Sequence, residues 1–486
     1  MTPHWDGFWQ GQVAVEERVK AEQGDTGAQS RPLYESVLGQ LTGLAAYGYP
    51  LPLRKRLALL STGLIVSQRA SVGELASALA ALGISPAKEE SINRRLERVL
   101  GDPRLDPEQI LPQVARLYLP EFLAELRQTA AAARSGDERP QVGLVVDESS
   151  KGGDVHLLVA GLEYRGVILP LAIRVWRQNT PLPEGYYFQQ LSSLLAEVHR
   201  LLPPAWRLRL VVVMDRAYAI PALFDLLKGL EWDWLVRLQS QTQVQLGSAA
   251  PVRVGDLVGR PGDWRCLGFG AATLLDPDLG EPVRLFKKAG WRWGQVIADW
   301  DADAAEPWLL FTSLPASRQR LGEYARRWAI ERLFWSWKSH GWAIESSGVR
   351  DPARFGRLLV GLALATWWRL AMAVPVAAAH LADLAQRAAR VPARPPTAAA
   401  RQLVLPLDFG DPPTAEPPAH TQPTAAATSQ PPRRAWAAKF SLFTWGTRIA
   451  CSANARFLTP ALCWRFPNWN APTWSAHCAI AYAKPT

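Results

Sequence analysis

From Pro32 to about Ala132, apolar residues recur at intervals of three and four, the spacing of one helix face. The pattern predicts helices over 53–68, 71–82, 88–100 and 107–132. The second and third are joined through Gly83-Ile84-Ser85, which gives helix-turn-helix spacing. At Gln141 the period changes to two. Strands are predicted over 142–146, 154–165 and 167–177, followed by an amphipathic helix over 186–202. A buried strand over 207–214, a helix over 220–230 and a strand over 234–246 come next. Residues 247–307 are rich in Gly, Val, Trp and turn signals, and read as short inserted strands. The segment WLLFTS, from Trp308, is one more strand, and 321–340 is a helix.

Three strands, helix, strand, helix, strand is the order of a ribonuclease-H-like α/β layout. In that layout three antiparallel strands are extended by strands added in parallel through helices. The expected fold is therefore α/β: a ribonuclease-H-like catalytic domain with a β-rich insertion, preceded by an α-helical DNA-binding domain. The predicted divisions are a loose arm (1–32), the helical domain (33–139), the catalytic domain (140–378, insertion about 247–307) and a tail (379–486). Residues 391–432 are dominated by Pro, Ala and Thr and will not pack a core. No acidic residue follows Glu416, and 433–486 holds five Trp; the expectation is a poorly ordered segment foreign to the fold.

Two of the predicted strands run into aspartates, Asp147 and Asp215. The helix over 321–340 carries Tyr324, Arg327, Glu331 and Lys338 within a stripe of roughly 60° at 100° per residue. A salt-bridged surface helix could carry the same stripe, so its meaning depends on the aspartates. Neighbouring strands would bring Asp147 and Asp215 together, and the helix can add Glu331. Converging carboxylates repel one another unless cations neutralise them. Hard oxygen ligands suit Mg²⁺ or Mn²⁺, and a pair of such ions supports phosphoryl transfer.

The net charge of +10 and pI near 9.6 point to an anionic partner, nucleic acid first. Distribution weakens that argument, because residues 380–486 hold 11 basic against 4 acidic side chains. Local clusters say more: Arg94, Arg95 and Arg98 lie on the second helix of the helix-turn-helix pair, able to meet phosphates or base edges. A plain helical hairpin with a solvated basic face fits these arginines too. The four cysteines form no CxxC pair, and the three in the tail with His477 fit no zinc template. The chain start has no basic-then-apolar signal segment, and a reducing, cytoplasmic, nucleoid-associated setting is expected. The most apolar run, 358–368, is bracketed by Arg357 and Arg369 and is too short to cross a bilayer.

These residues resemble the DDE transposases of bacterial insertion sequences, in particular the insertion-sequence-four group. The group's signature is Tyr, two residues, Arg, three residues, Glu, six residues, Lys, matched here by Tyr324, Arg327, Glu331 and Lys338. The sequence VVDES at Asp147 and the pair Asp215-Arg216 in VVVMDRAY match its two aspartate motifs. The resemblance covers roughly 30–378 and implies Asp147, Asp215 and Glu331 as a metal-binding triad. It implies DNA phosphate contacts for Tyr324, Arg327 and Lys338, with Arg216 beside them, and for Trp308 a flipped base stacked on its ring, where a core Trp on a strand is the alternative. Packing is the role expected for Trp328. The implied activity is binding of inverted-repeat ends, pairing of them as a homodimer, cleavage, and joining of 3′-hydroxyls to target DNA. A structure-specific nuclease on the same fold, or a catalytically silent DNA-binding derivative, are the alternatives. Glu148-Ser149 departs from the family pattern after the first aspartate.

Overall fold

The computed structural model describes residues 27–132, 142–164, 166–268 and 283–390; residues 1–26 of the expected arm and the Trp-rich tail lie outside these, and 27–32 of that arm are helical. The N-terminal part is helical, as its period demands. It comprises α1 (Gly27–Gln40), α2 (Leu51–Ser67), α3 (Val72–Ala81), α4 (Glu89–Gly101) and α5 (Pro107–Ala132). On α4, Ile92, Leu96, Val99 and Leu100 are buried while Arg94, Arg95 and Arg98 face outward. That division follows from the three- and four-residue spacing of the apolar set.

The centre is an 11-stranded mixed sheet ordered β3-β2-β1-β4-β5-β11-β10-β9-β6-β7, with β8 also paired to β10. Its first half is β1 (Val142–Lys151), β2 (Val155–Tyr164), β3 (Val167–Arg177), β4 (Leu210–Met214) and β5 (Asp233–Arg237). β1, β2 and β3 are antiparallel, and β4 and β5 are added in parallel. Helices α6 (Tyr186–Leu201) and α7 (Pro221–Gly229) make the crossovers. The two buried faces explain why β4, LVVVM, is apolar throughout.

The strands of the expected insertion join the central sheet. β6 (Gln243–Leu246), β7 (Val252–Arg253), β8 (Trp264–Leu267), β9 (Val283–Leu285) and β10 (Arg292–Asp299) extend the same sheet through β11 (Trp308–Thr312). The single strand expected over 234–246 is two, because the polar stretch Gln239–Thr242 turns, with Thr242 N–H donating to the Gln239 carbonyl at 2.9 Å. β1 likewise does not stop before Asp147 but continues to Lys151 in register with β2.

The helix expected over 321–340 is also broken. It consists of α8 (Gln319–Ala325), a tight turn at Arg326-Arg327, α9 (Trp328–Trp335) and a wider π-turn over Ser336–His340. Finally α10 (Pro352–Arg390) packs against β3 on one side and α2 on the other. Trp367 Nε1 donates to the Pro170 carbonyl at 3.2 Å, and Trp342 Nε1 donates to the Leu64 carbonyl at 2.6 Å. The helical domain is thereby docked onto the sheet.

Candidate functional site

Strand register brings the two aspartates level. Val145 on β1 is the parallel partner of Val213 on β4, so Asp147 and Asp215 are each two residues further along adjacent strands. On β1 successive side chains alternate between faces. Asp147 faces α9, and Glu148 faces α6.

On the Asp147 side, Arg327 holds two carboxylates together. Its Nη1 donates to Asp147 Oδ2 at 2.9 Å, and its Nη2 donates to Glu331 Oε1 at 2.7 Å. The Tyr324 hydroxyl donates to Asp215 Oδ1 at 3.2 Å. The turn at Arg326-Arg327 aims Tyr324 and Arg327 inward, where they are 2% and 6% exposed. Burial raises the Asp147 carboxyl to about 6; Arg327 pulls it down, while Asp215 and Glu331 push it up. Burial works against the Arg327 charge, but Tyr324, Asp147, Glu331 and Asp215 together raise its pKa. Tyr324 is raised chiefly by burial. The site is thus a partly buried group of carboxylates, two of which share the Arg327 guanidinium.

Of the signature residues, Tyr324 and Arg327 bond the aspartates and Glu331 bonds Arg327. Lys338 lies in the π-turn and pairs with Glu345 at 3.8 Å. Trp308 meets Tyr324 edge-on, with ring centroids 5.2 Å apart. Arg216 is exposed and donates to Glu306 at 3.0 Å; the same carboxylate accepts from Arg237 at 2.7 Å. Trp328 is not a packing residue: it is 47% exposed, with the Arg327 guanidinium 5.5 Å from its ring. Arg94, Arg95 and Arg98 belong to the helical domain and make no contact with the carboxylates among those described; Arg94 pairs with Glu90 at 2.6 Å.

Sequence reasoning missed what stands behind Asp147. Glu148 accepts from the Tyr187 hydroxyl at 2.5 Å and lies 3.2 Å from His156 Nε2. These bonds, led by that to His156, hold its carboxyl low, and His156 stacks on Trp176 at 4.4 Å. This group ties the end of β1 to α6 and β2. Strand alternation at Glu148 was the available signal; the partners, far apart in sequence, were not visible.

Among the described residues, no three carboxylate, imidazole or thiol side chains are gathered as closely as a metal's inner shell. The reason is visible: the Arg327 fork lies between Asp147 and Glu331. The donor types nevertheless suit a hard divalent cation, since Asp147, Asp215 and Glu331 all offer carboxylate oxygen.

Residues 188–368 match the family model described as Transposase DDE domain. The matched span contains Asp215, Tyr324, Arg327, Glu331 and Lys338, and it begins after Asp147. No curated protein matches the chain. The match, with a large mixed sheet, supports a transposase with a ribonuclease-H-like domain, an enzyme class that acts on DNA and generally uses divalent metal. No helix among the described residues is long and apolar enough to cross a membrane.

Proposed function

We propose that the protein is a cut-and-paste transposase of the insertion-sequence-four type. It binds the inverted-repeat ends of an insertion sequence through the helical domain, with Arg94, Arg95 and Arg98 on phosphates or base edges. It pairs the ends as a homodimer, cleaves, and joins 3′-hydroxyls to target DNA. The observation that carries this reading is the level placement of Asp147 and Asp215, with Glu331 tied to Asp147 through one arginine.

Asp147, Asp215 and Glu331 would hold Mg²⁺ or Mn²⁺, two ions in the full assembly. Ions held there would supply activation of a water or 3′-hydroxyl and charge stabilisation at the leaving oxygen. Arg327 carries the charge that keeps the buried carboxylates compatible, and its planar fork suits phosphate as well as carboxylate. Rotation of that one side chain transfers it from the carboxylates to the DNA backbone. Tyr324 fixes the Asp215 carboxylate through its hydroxyl and presents its ring to Trp308. Trp308 offers an indole to an unpaired base, and Lys338 and Arg216 offer cations to phosphate.

The experiment is cleavage and strand transfer by purified protein with repeat-end DNA and Mg²⁺ or Mn²⁺. Asp147→Ala, Asp215→Ala and Glu331→Ala should each abolish chemistry and spare DNA binding. Activity that persists in any one of them removes that residue from the site.

A further inference from the structure

Strand register aligns an exposed indole, that of Trp264, with the partly buried Trp308 beside the site. Trp264 on β8 is directly opposite Asp299 on β10, and Asp299 is directly opposite Trp308 on β11. Directly paired residues share a face of the sheet. Trp264, Asp299 and Trp308 therefore form one row, with two strand spacings, about 9.6 Å, between the two Trp backbones. The row leads to the carboxylates, since Trp308 meets Tyr324 and Tyr324 donates to Asp215. At the outer end the Arg318 guanidinium lies 4.9 Å from the Trp264 ring centre and 3.6 Å from Asp299.

Core packing among the described residues does not account for this arrangement. Trp264 is 45% exposed, so it is not a core residue, and the Arg318 side chain is 62% exposed. An exposed ion pair of that length contributes little to stability. What the group does offer is a flat π face, a cation suited to phosphate, and a carboxylate able to accept from a base amino group. Those are the requirements of an unpaired nucleotide: stacking on an aromatic ring with a cation beside the backbone. A paired duplex keeps its base faces stacked and cannot use the indole. The spacing from Trp308 corresponds to roughly three steps of a stacked strand at about 3.4 Å each.

We propose that Trp264, with Arg318 over its ring, is a second stacking site for an unpaired nucleotide, about three positions from the one met by Trp308. The proposal rests on the DNA-processing reading of the carboxylate site.

The test uses the full chain without added metal, so that binding alone is measured. Fluorescence anisotropy would compare a blunt duplex with the same duplex bearing a six-thymidine single-stranded tail. The native protein should prefer the tailed DNA. Trp264→Ala should weaken tailed binding about tenfold, within the range stacking supplies, and leave blunt binding unchanged. Trp264→Phe should recover part of the loss, and Arg318→Ala should show a smaller defect confined to the tailed DNA. Unchanged tailed binding by Trp264→Ala, with blunt binding intact, overturns this proposal and leaves the transposase reading standing. Equal losses on both DNAs, shared by Trp264→Phe, would assign Trp264 to folding and also overturn it. Failure of the native protein to bind either DNA would remove the transposase reading itself, and this proposal with it.

Discussion

Arg327 donates to Asp147 at 2.9 Å across 180 residues of sequence. One is on the strand that opens the sheet domain, the other in a break of a late helix. The bond is therefore a direct readout of whether the two halves of the site have met.

Removing the guanidinium leaves the buried Asp147 carboxylate without its cation. Breaking a buried pair costs roughly 3–5 kcal/mol; Glu331 is partly solvated, so Arg327→Gln should fall at the low end, about 3 kcal/mol. Urea midpoints would measure it. Mn²⁺ should raise the midpoint of the Arg327→Gln protein more than that of the native chain, because the ion no longer competes with the fork. An equal Mn²⁺ response in both proteins would argue against the fork and metal sharing the carboxylates.

The Asp147 carboxyl gives a pH signature. Burial lifts it from an ordinary 3.8 to about 6, so folding favours its protonated form. This contribution is complete below the unfolded value and is lost as pH rises through about 6. Two pH units correspond to no more than about 3 kcal/mol. Between pH 4 and 6 the native chain should lose more stability than Asp147→Asn, whose profile lacks this step. Divalent-ion affinity should move oppositely, weakening below about pH 6 as the carboxylate takes up a proton. Parallel stability profiles in the two proteins would count against the shift.

Tyr187→Phe deletes the 2.5 Å bond to Glu148 and leaves a half-buried carboxylate with His156 alone. A hydrogen bond to a charged group contributes roughly 1.5–3 kcal/mol, less where solvent reaches it. The expected loss is about 1–2 kcal/mol, with a fall in turnover because the end of β1 carries Asp147. Native turnover in the variant would reduce the Glu148 group to a structural tie between β1 and α6.

Arg94, Arg95 and Arg98 are exposed on α4. If they meet phosphate, the triple alanine variant should lower end-DNA affinity and flatten its salt dependence, by roughly one unit of slope for each phosphate no longer neutralised. Cleavage of DNA already bound should be little changed. An unaltered slope would make α4 an ordinary solvated helix.

Much of the fold is legible in the sequence because it is periodic. The short apolar segments of β1 to β3, the apolar run of β4 and the amphipathic helix between them can be read as elements, and their succession matches the layout that levels Asp147 with Asp215. The breaks are not legible. Residues 321–340 keep a helical apolar spacing, yet the chain turns at Arg326-Arg327 and widens at Ser336–His340. The backbone at Arg326 and Arg327 stays right-handed helical and only tightens to three-residue hydrogen bonds, a change that apolar spacing does not register. Trp328 reads as a core residue because indoles usually are; only the turn before it shows that its ring is turned outward. The role of the inserted strands is hidden for another reason, since short strands carry no mark of which edge they join.

That joining edge has a mechanical consequence. β11 bonds to β5 and β10 in one uninterrupted ladder, and β5 lies beside β4, which ends at Asp215. An added domain on a flexible stalk would let the outer aromatic row drift relative to the carboxylates. Here backbone rungs gauge the interval between them, so a strand seated on the row is measured against the site by the sheet itself.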